Sequence, residues 1–170
     1  MQAIAHPQRR SPALNNTDNR ASDATMTLFS IIESPDHPRL ETLYQRLGLH
    51  QIKLASQRKA IQALKQTSPD WVVAEFFYGF GNNYAGANVS NLDVFLASLR
   101  KAAPEARVIV LVSKEQARYV PLLAERFPLH AVLTLPVTES EVEAILDGTR
   151  MPEPSTKGAG TGTAANDTEA

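Results

Sequence analysis

Five short apolar runs set the architecture open to this chain. They lie at residues 27–32, 51–55, 71–77, 107–112 and 131–135, and β-branched residues are frequent in them. Several are hydrophobic almost without interruption. A strand covered on one face alternates apolar and polar residues, whereas one covered on both faces does not, so these runs read as buried parallel strands. Helical periodicity fills the spaces between them. Leu40, Leu43, Tyr44 and Leu47 follow i, i+3, i+4, i+7 spacing after Asp36, and Gly48 can close that helix. Ser56 can cap a second helix carrying Ala60, Ile61 and Leu64. Ser90 with Asp93, Ser113 with Gln116 and Thr138 with Glu141 have capping-box spacing, the first with Asp in place of Glu. Pro121 falls inside the fourth helical pattern and predicts a kink or a late start there.

Alternation of strand and helix implies a mostly parallel sheet with right-handed crossovers and helices on both faces. We expect an α/β fold of the flavodoxin-like kind, a single doubly wound domain with five parallel strands in the order 2-1-3-4-5. Its ligand crevice would lie beside the carboxyl ends of strands 1 and 3. Glu33 and Asp36 follow strand 1 and Glu75 ends strand 3, so all three carboxylates are expected to meet at that crevice.

A length of 170 residues suits one domain with additional ends. Residues 1–25 are polar, with no apolar period, and read as a disordered tail in which Arg9 and Arg10 are solvated. The folded unit is placed at 26–148, and a Gly-, Thr-, Ala- and Pro-rich tail at 149–170. That second tail is too short and too polar for an output domain. Met26 stands immediately before the first apolar run, which raises the reading that translation starts there.

Cysteine is absent, which excludes disulfides, thiolate metal sites and Cys nucleophiles. A net charge of -1 argues against nucleic acid as the main partner, since such binding needs a basic footprint. No run approaches about 18 apolar residues and no signal-peptide core is visible, so neither a membrane nor export is expected and the location reads as cytoplasmic. The histidines, His6, His37, His50 and His130, lack metal-ligand spacing and read as surface or turn residues. No Ser–His–Asp arrangement is evident from their positions.

Several segments together carry a family resemblance. Pro69-Asp70-Trp71-Val72-Val73-Ala74-Glu75 looks like a strand ending in an acceptor carboxylate, and Ala106 to Ser113 like a strand ending in a hydroxyl residue. Leu133-Thr134-Leu135-Pro136-Val137 looks like a fifth strand ending in Lys-Pro, and Asp36-His37-Pro38 like an acidic turn after strand 1. In order and spacing, residues 27–147 resemble a two-component response-regulator receiver domain. Such a domain implies an Asp nucleophile, acidic residues holding Mg²⁺, and a hydroxyl and an ammonium that receive the phosphoryl oxygens.

The departures from that pattern imply a degenerate site. Glu75 stands at the nucleophile position, one methylene too long, and Leu135 at the Lys position. Val112 aligns with the hydroxyl, with Ser113 following it and pointing elsewhere, and Val132 aligns with the aromatic switch residue. The degenerate phosphorylation site is therefore Glu75, Glu33, Asp36, Val112, Ser113 and Leu135. Whether Glu75 imitates a phosphorylated acceptor or is merely solvated stays open. Pro35 separates the acidic residues of the first turn, which argues against a bound metal, and no cofactor is expected. The turn Glu33-Ser34-Pro35-Asp36 lacks glycine and carries two negative charges, so a flavin phosphate would not sit there.

The segment between Glu75 and Ser90 is longer than the family's usual connection and concentrates aromatic, Gly and Asn residues. Phe76 and Phe77 read as the end of a buried strand. Tyr78, Phe80 and Tyr84 read as contact residues on a binding loop or lid. Gly79-x-Gly81 does not continue into a dinucleotide fingerprint, and Asn88-Val89-Ser90 is a sequon only in a secreted protein.

The expected function is a stand-alone pseudo-receiver, not an enzyme, acting as a phosphorylation-independent adaptor for an unidentified signalling protein. The resemblance places contacts, including homodimerisation, on the face of helix 4, strand 5 and helix 5, with Tyr119, Leu122 and Arg126 as candidates. The alternatives are a phosphorylatable receiver with an atypical site and a small-molecule sensor using the crevice under the 76–89 loop.

Overall fold

The computed structural model describes residues 25–79 and 88–148. Its strands are β1 (Thr27–Ile31), β2 (His50–Leu54), β3 (Trp71–Glu75), β4 (Arg107–Val112) and β5 (Ala131–Thr134). All pair in parallel, in the order β2-β1-β3-β4-β5, as expected for the flavodoxin-like fold. The helices are α1 (Glu41–Arg46), α2 (Gln57–Ala63), α3 (Asp93–Ala102), α4 (Val120–Ala124) and α5 (Glu139–Leu146).

The uninterrupted hydrophobicity of the strands has a direct cause in packing. Leu28, Trp71, Val73, Ile109 and Leu111 face Leu40, Leu43 and Tyr44 of the α1 segment and Val142 of α5. Their neighbours Phe29, Ile31, Val72, Ala74, Val108, Val110 and Val112 face α2, α3 and α4. The central strands β1, β3 and β4 thus feed two cores, whereas the edge strands β2 and β5 feed one each, and removing this apolar surface from water is the main drive for the fold.

Helix ends meet expectation in part. Thr138 and Glu141 form a complete capping box, and Ser56 accepts from the Lys59 N–H at 3.2 Å. Gly48, at φ +69°, closes α1 in the left-handed region that glycine enters at little cost. However, α1 begins at Glu41, well after Asp36. Half of the Ser90–Asp93 box forms: Asp93 Oδ1 accepts from the Ser90 N–H, while Ser90 Oγ serves the Leu92 N–H and α3 starts only at Asp93. No helix starts at Ser113. A 3-10 turn at Ala117–Tyr119 leads into a short α4 with Pro121 in its first turn, the late start that proline foreshadows.

Candidate functional site

Glu75 ends β3 with its side chain on the α1/α5 face and is only 1% exposed. The chain leaving β1 wraps around it. Oε2 accepts from the backbone N–H of Glu33 at 2.8 Å and of Ser34 at 3.1 Å, and Oε1 accepts from the Ser34 hydroxyl. His37 Nδ1 stands 3.3 Å from Oε2, close enough for charge attraction though not aligned as a good donor. Burial alone would push the Glu75 carboxyl up. His37, the Ser34 hydroxyl and the Glu33 N–H outweigh it and hold the group below the usual carboxylate range.

Across the ring, His37 Nε2 lies 3.4 Å from the hydroxyl of Ser30, a buried residue of β1. The imidazole thus lies between the Ser30 hydroxyl and the Glu75 carboxylate. Ser30, His37 and Glu75 therefore form a serine–imidazole–carboxylate row. Ser30 is 1% exposed, so no substrate can reach its hydroxyl. The row is a buried polar network, not a nucleophilic centre.

This corrects two sequence expectations. His37 is a turn residue, as expected, but not a surface one: the turn closed by the His37 N–H to Ser34 carbonyl bond folds its ring inward as a buried partner of Glu75. Asp36 does not join the other carboxylates. It is exposed, and only its N–H engages the turn, donating to Ser34 Oγ at 3.2 Å. Ser34 escaped the sequence reading, although its place beside Pro35 in the turn after β1 was its one visible signal.

Glu33 is held separately. Its Oε2 accepts from Gln57 Nε2 at 2.9 Å and from Asn91 Nδ2 at 2.8 Å, and Asn91 Nδ2 also reaches the Glu75 carbonyl. Among the described residues, no group of three or more His, Asp or Glu side chains could hold a metal ion. With Glu75 occupied by donors and Asp36 turned out, the residues present do not fit a Mg²⁺ site.

Leu135 follows β5 on the same side of the sheet as Glu75 and packs its hydrocarbon against the Leu28, Trp71 and Ile109 core; the Leu135–Pro136 bond is cis. Val112 requires a further correction. Glu75 pairs in register with Leu111, and Val112 is buried in the opposite core. By strand alternation, Ser113, half-buried, follows Leu111 onto the Glu75 side. Val112 therefore lies away from Glu75, and alternation puts the Ser113 hydroxyl on the Glu75 side of the sheet. Val132 is 43% exposed on the other face of β5.

At the mouth of the crevice, Phe76 is buried, while Tyr78 is 44% exposed and stacks on Tyr119, with ring centroids 3.7 Å apart and planes 7° off parallel. The Tyr78 N–H donates to Gln116 Oε1 at 2.9 Å. Tyr78 bridges Ser90 in antiparallel fashion, and Gly79, at φ +68°, donates to the Val89 carbonyl. Leu122 is exposed on α4, and Arg126 pairs with the buried Asp93 at 3.3 Å. Phe80 and Tyr84 lie outside the described residues.

Comparison with solved structures gives the fold a context. A response regulator receiver protein from Sinorhizobium medicae aligns at 16% identity with a TM-score of 0.54, over 74% of this chain and 94% of its own. The receiver domain of a sensor histidine kinase from Pseudomonas aeruginosa, with magnesium in its active-site cleft, aligns at 13% identity with a TM-score of 0.55, over 74% and 97%. The fold is that of a response-regulator receiver. An uncharacterized protein from Neptuniibacter caesariensis is also similar, at 22% identity and a TM-score of 0.58, over 73% of this chain and 85% of that one. No protein-family model and no curated protein matches the sequence.

Within a receiver fold, this chain places an acidic residue at the end of β3 and a hydroxyl after β4. After β5 stands Leu135, which carries no charge. The Glu75 carboxylate is met by an imidazole from the β1–α1 turn.

Proposed function

We propose that this protein is a stand-alone receiver-fold adaptor in bacterial signal transduction that works without phosphorylation and is not an enzyme. The observation that carries the reading is the state of Glu75: buried, with both oxygens occupied by Ser34, the Glu33 and Ser34 N–H groups and His37. A nucleophile needs a path for the incoming phosphorus, and the burial of this carboxylate and the donors packed around it oppose one. Leu135 supplies no charge to offset a phosphoryl group. The contact surface we assign is the Tyr78–Tyr119 stack with exposed Leu122 and Val132 beside it, since tyrosine is among the residues that carry most binding energy at interfaces. Its occupant is a signalling protein or a second copy of the chain.

A second reading, a phosphorylatable receiver with an atypical site, is favoured by Ser113, which keeps a hydroxyl on the Glu75 side. Incubation with acetyl phosphate and Mg²⁺ separates the two. The adaptor predicts no gain in intact mass and no change in the amide spectrum with beryllofluoride, and either change overturns it. Partner capture from the native host is then expected to fall when Tyr78 and Tyr119 are replaced by Ala.

A further inference from the structure

Outside the Glu75 network lies a cleft of about 260 Å³ between the start of α2 and the strand-like base that precedes α3. Glu33, Gln57, Arg58, Asn91 and Val94 are among the residues that form its walls. Most of its polar atoms are already committed. Asn91 spends Nδ2 on Glu33 and on the Glu75 carbonyl, and Oδ1 on the Phe77 N–H. Ser56 and Ser90 hydroxyls serve the starts of α2 and α3.

What remains uncommitted has a definite chemistry. Glu33 Oε1 accepts no hydrogen bond among the described residues, and Arg58 is exposed and forms no ion pair there. These opposite charges line one cleft without meeting each other. Val94, 54% exposed, adds an apolar wall. Gln57 is the loose member. Its Nε2 caps Glu33 while its Oε1 is shut away from water with no partner. Turning that side chain outward relieves the orphaned oxygen and uncovers the Glu33 carboxylate.

An isolated cation would be repelled by Arg58 and an isolated anion by Glu33. A volume of about 260 Å³ suits a small metabolite. We propose that this cleft binds a small zwitterion of the amino-acid type, with its ammonium on Glu33, its carboxylate on Arg58 and an aliphatic side chain against Val94. Entry displaces Gln57. The site does not require the adaptor reading, although Glu33 and Asn91 also touch Glu75 through the Glu33 N–H and the Glu75 carbonyl.

The test is a titration of the full chain, followed by amide NMR, with the common aliphatic α-amino acids and with propylamine and propionate as single-charge probes. At least one amino acid is expected to shift the side-chain amide signals of Gln57 and Asn91 with a Kd below about 10 mM, and to bind at least about tenfold more tightly than either probe. Arg58→Ala, at an exposed position where folding is not at stake, weakens that binding threefold or more, on the order of the loss of one solvated ion pair. Glu33→Gln abolishes it, and Gln57→Ala strengthens it. No response to any amino acid, equal binding of a single-charge probe, or unchanged affinity in Arg58→Ala overturns the proposal.

Discussion

His37 Nδ1 and Glu75 Oε2 stand 3.3 Å apart, with both side chains 2% exposed. An imidazole therefore occupies one side of the carboxylate that ends β3, and it arrives from a turn 38 residues earlier in the chain. Removing one member of such a pair leaves the others buried without partners, which costs more than the pair contributes.

Replacing Glu75 by Gln keeps the shape but puts an NH₂ where the carboxylate accepts from Ser34 or from the two backbone N–H groups. The expected loss is about 1–3 kcal/mol of folding stability, read as a lower urea midpoint at unchanged slope.

The same carboxylate makes stability pH-dependent. Its folded-state pKa lies below the ordinary value of 4.5, so its contribution is fully present above that value and is lost as pH falls through the folded pKa. Urea midpoints of the wild-type protein are expected to fall on acidification below pH 4.5. In Glu75→Gln that fall is shallower, and parallel pH profiles for the two proteins would remove Glu75 as its source.

Tyr44 is buried in the α1/α5 core with its hydroxyl unpartnered among the described residues, and burial, aided by the nearby Glu41 charge, raises its pKa. Tyr44→Phe deletes only that hydroxyl. The variant should be more stable by about 1 kcal/mol, since an unpaired buried polar group costs on the order of 1–3 kcal/mol. A loss of stability would reveal a partner for the hydroxyl.

The stack of Tyr78 on Tyr119 ties the base of the long loop to the turn before α4. A double-mutant cycle with Tyr78→Ala and Tyr119→Ala should give a coupling of about 0.5–1.5 kcal/mol. Additive single effects would show that the rings do not support each other in solution.

The sheet was legible because a strand's environment is written along its own length: a run covered on both faces is apolar at most positions. Strand ends were trimmed by a residue or two, at 32, 55, 76–77 and 135. Capping depended on neighbours far away in sequence. Thr138 and Glu141 answer each other locally, whereas Gln116, at the right spacing from Ser113, gives its side chain to Tyr78, 38 residues earlier. The candidate site was legible by position and not by orientation. Glu75 and Leu135 fall where spacing puts them, but the parity of Val112 and Ser113 needed the β3–β4 register. The inward turn of His37 and the outward one of Asp36 depend on a single hydrogen-bonded turn that composition does not reveal.

The bridge between Tyr78 and Ser90, reinforced by Gly79 donating to the Val89 carbonyl, acts as a collar. Whatever is spliced between its two sides, β3 and α3 keep their anchorage, and doubling the enclosed length costs only about 0.6 kcal/mol in closure entropy. Evolution, or an engineer, can thus exchange that cassette freely while the scaffold beneath it stays put.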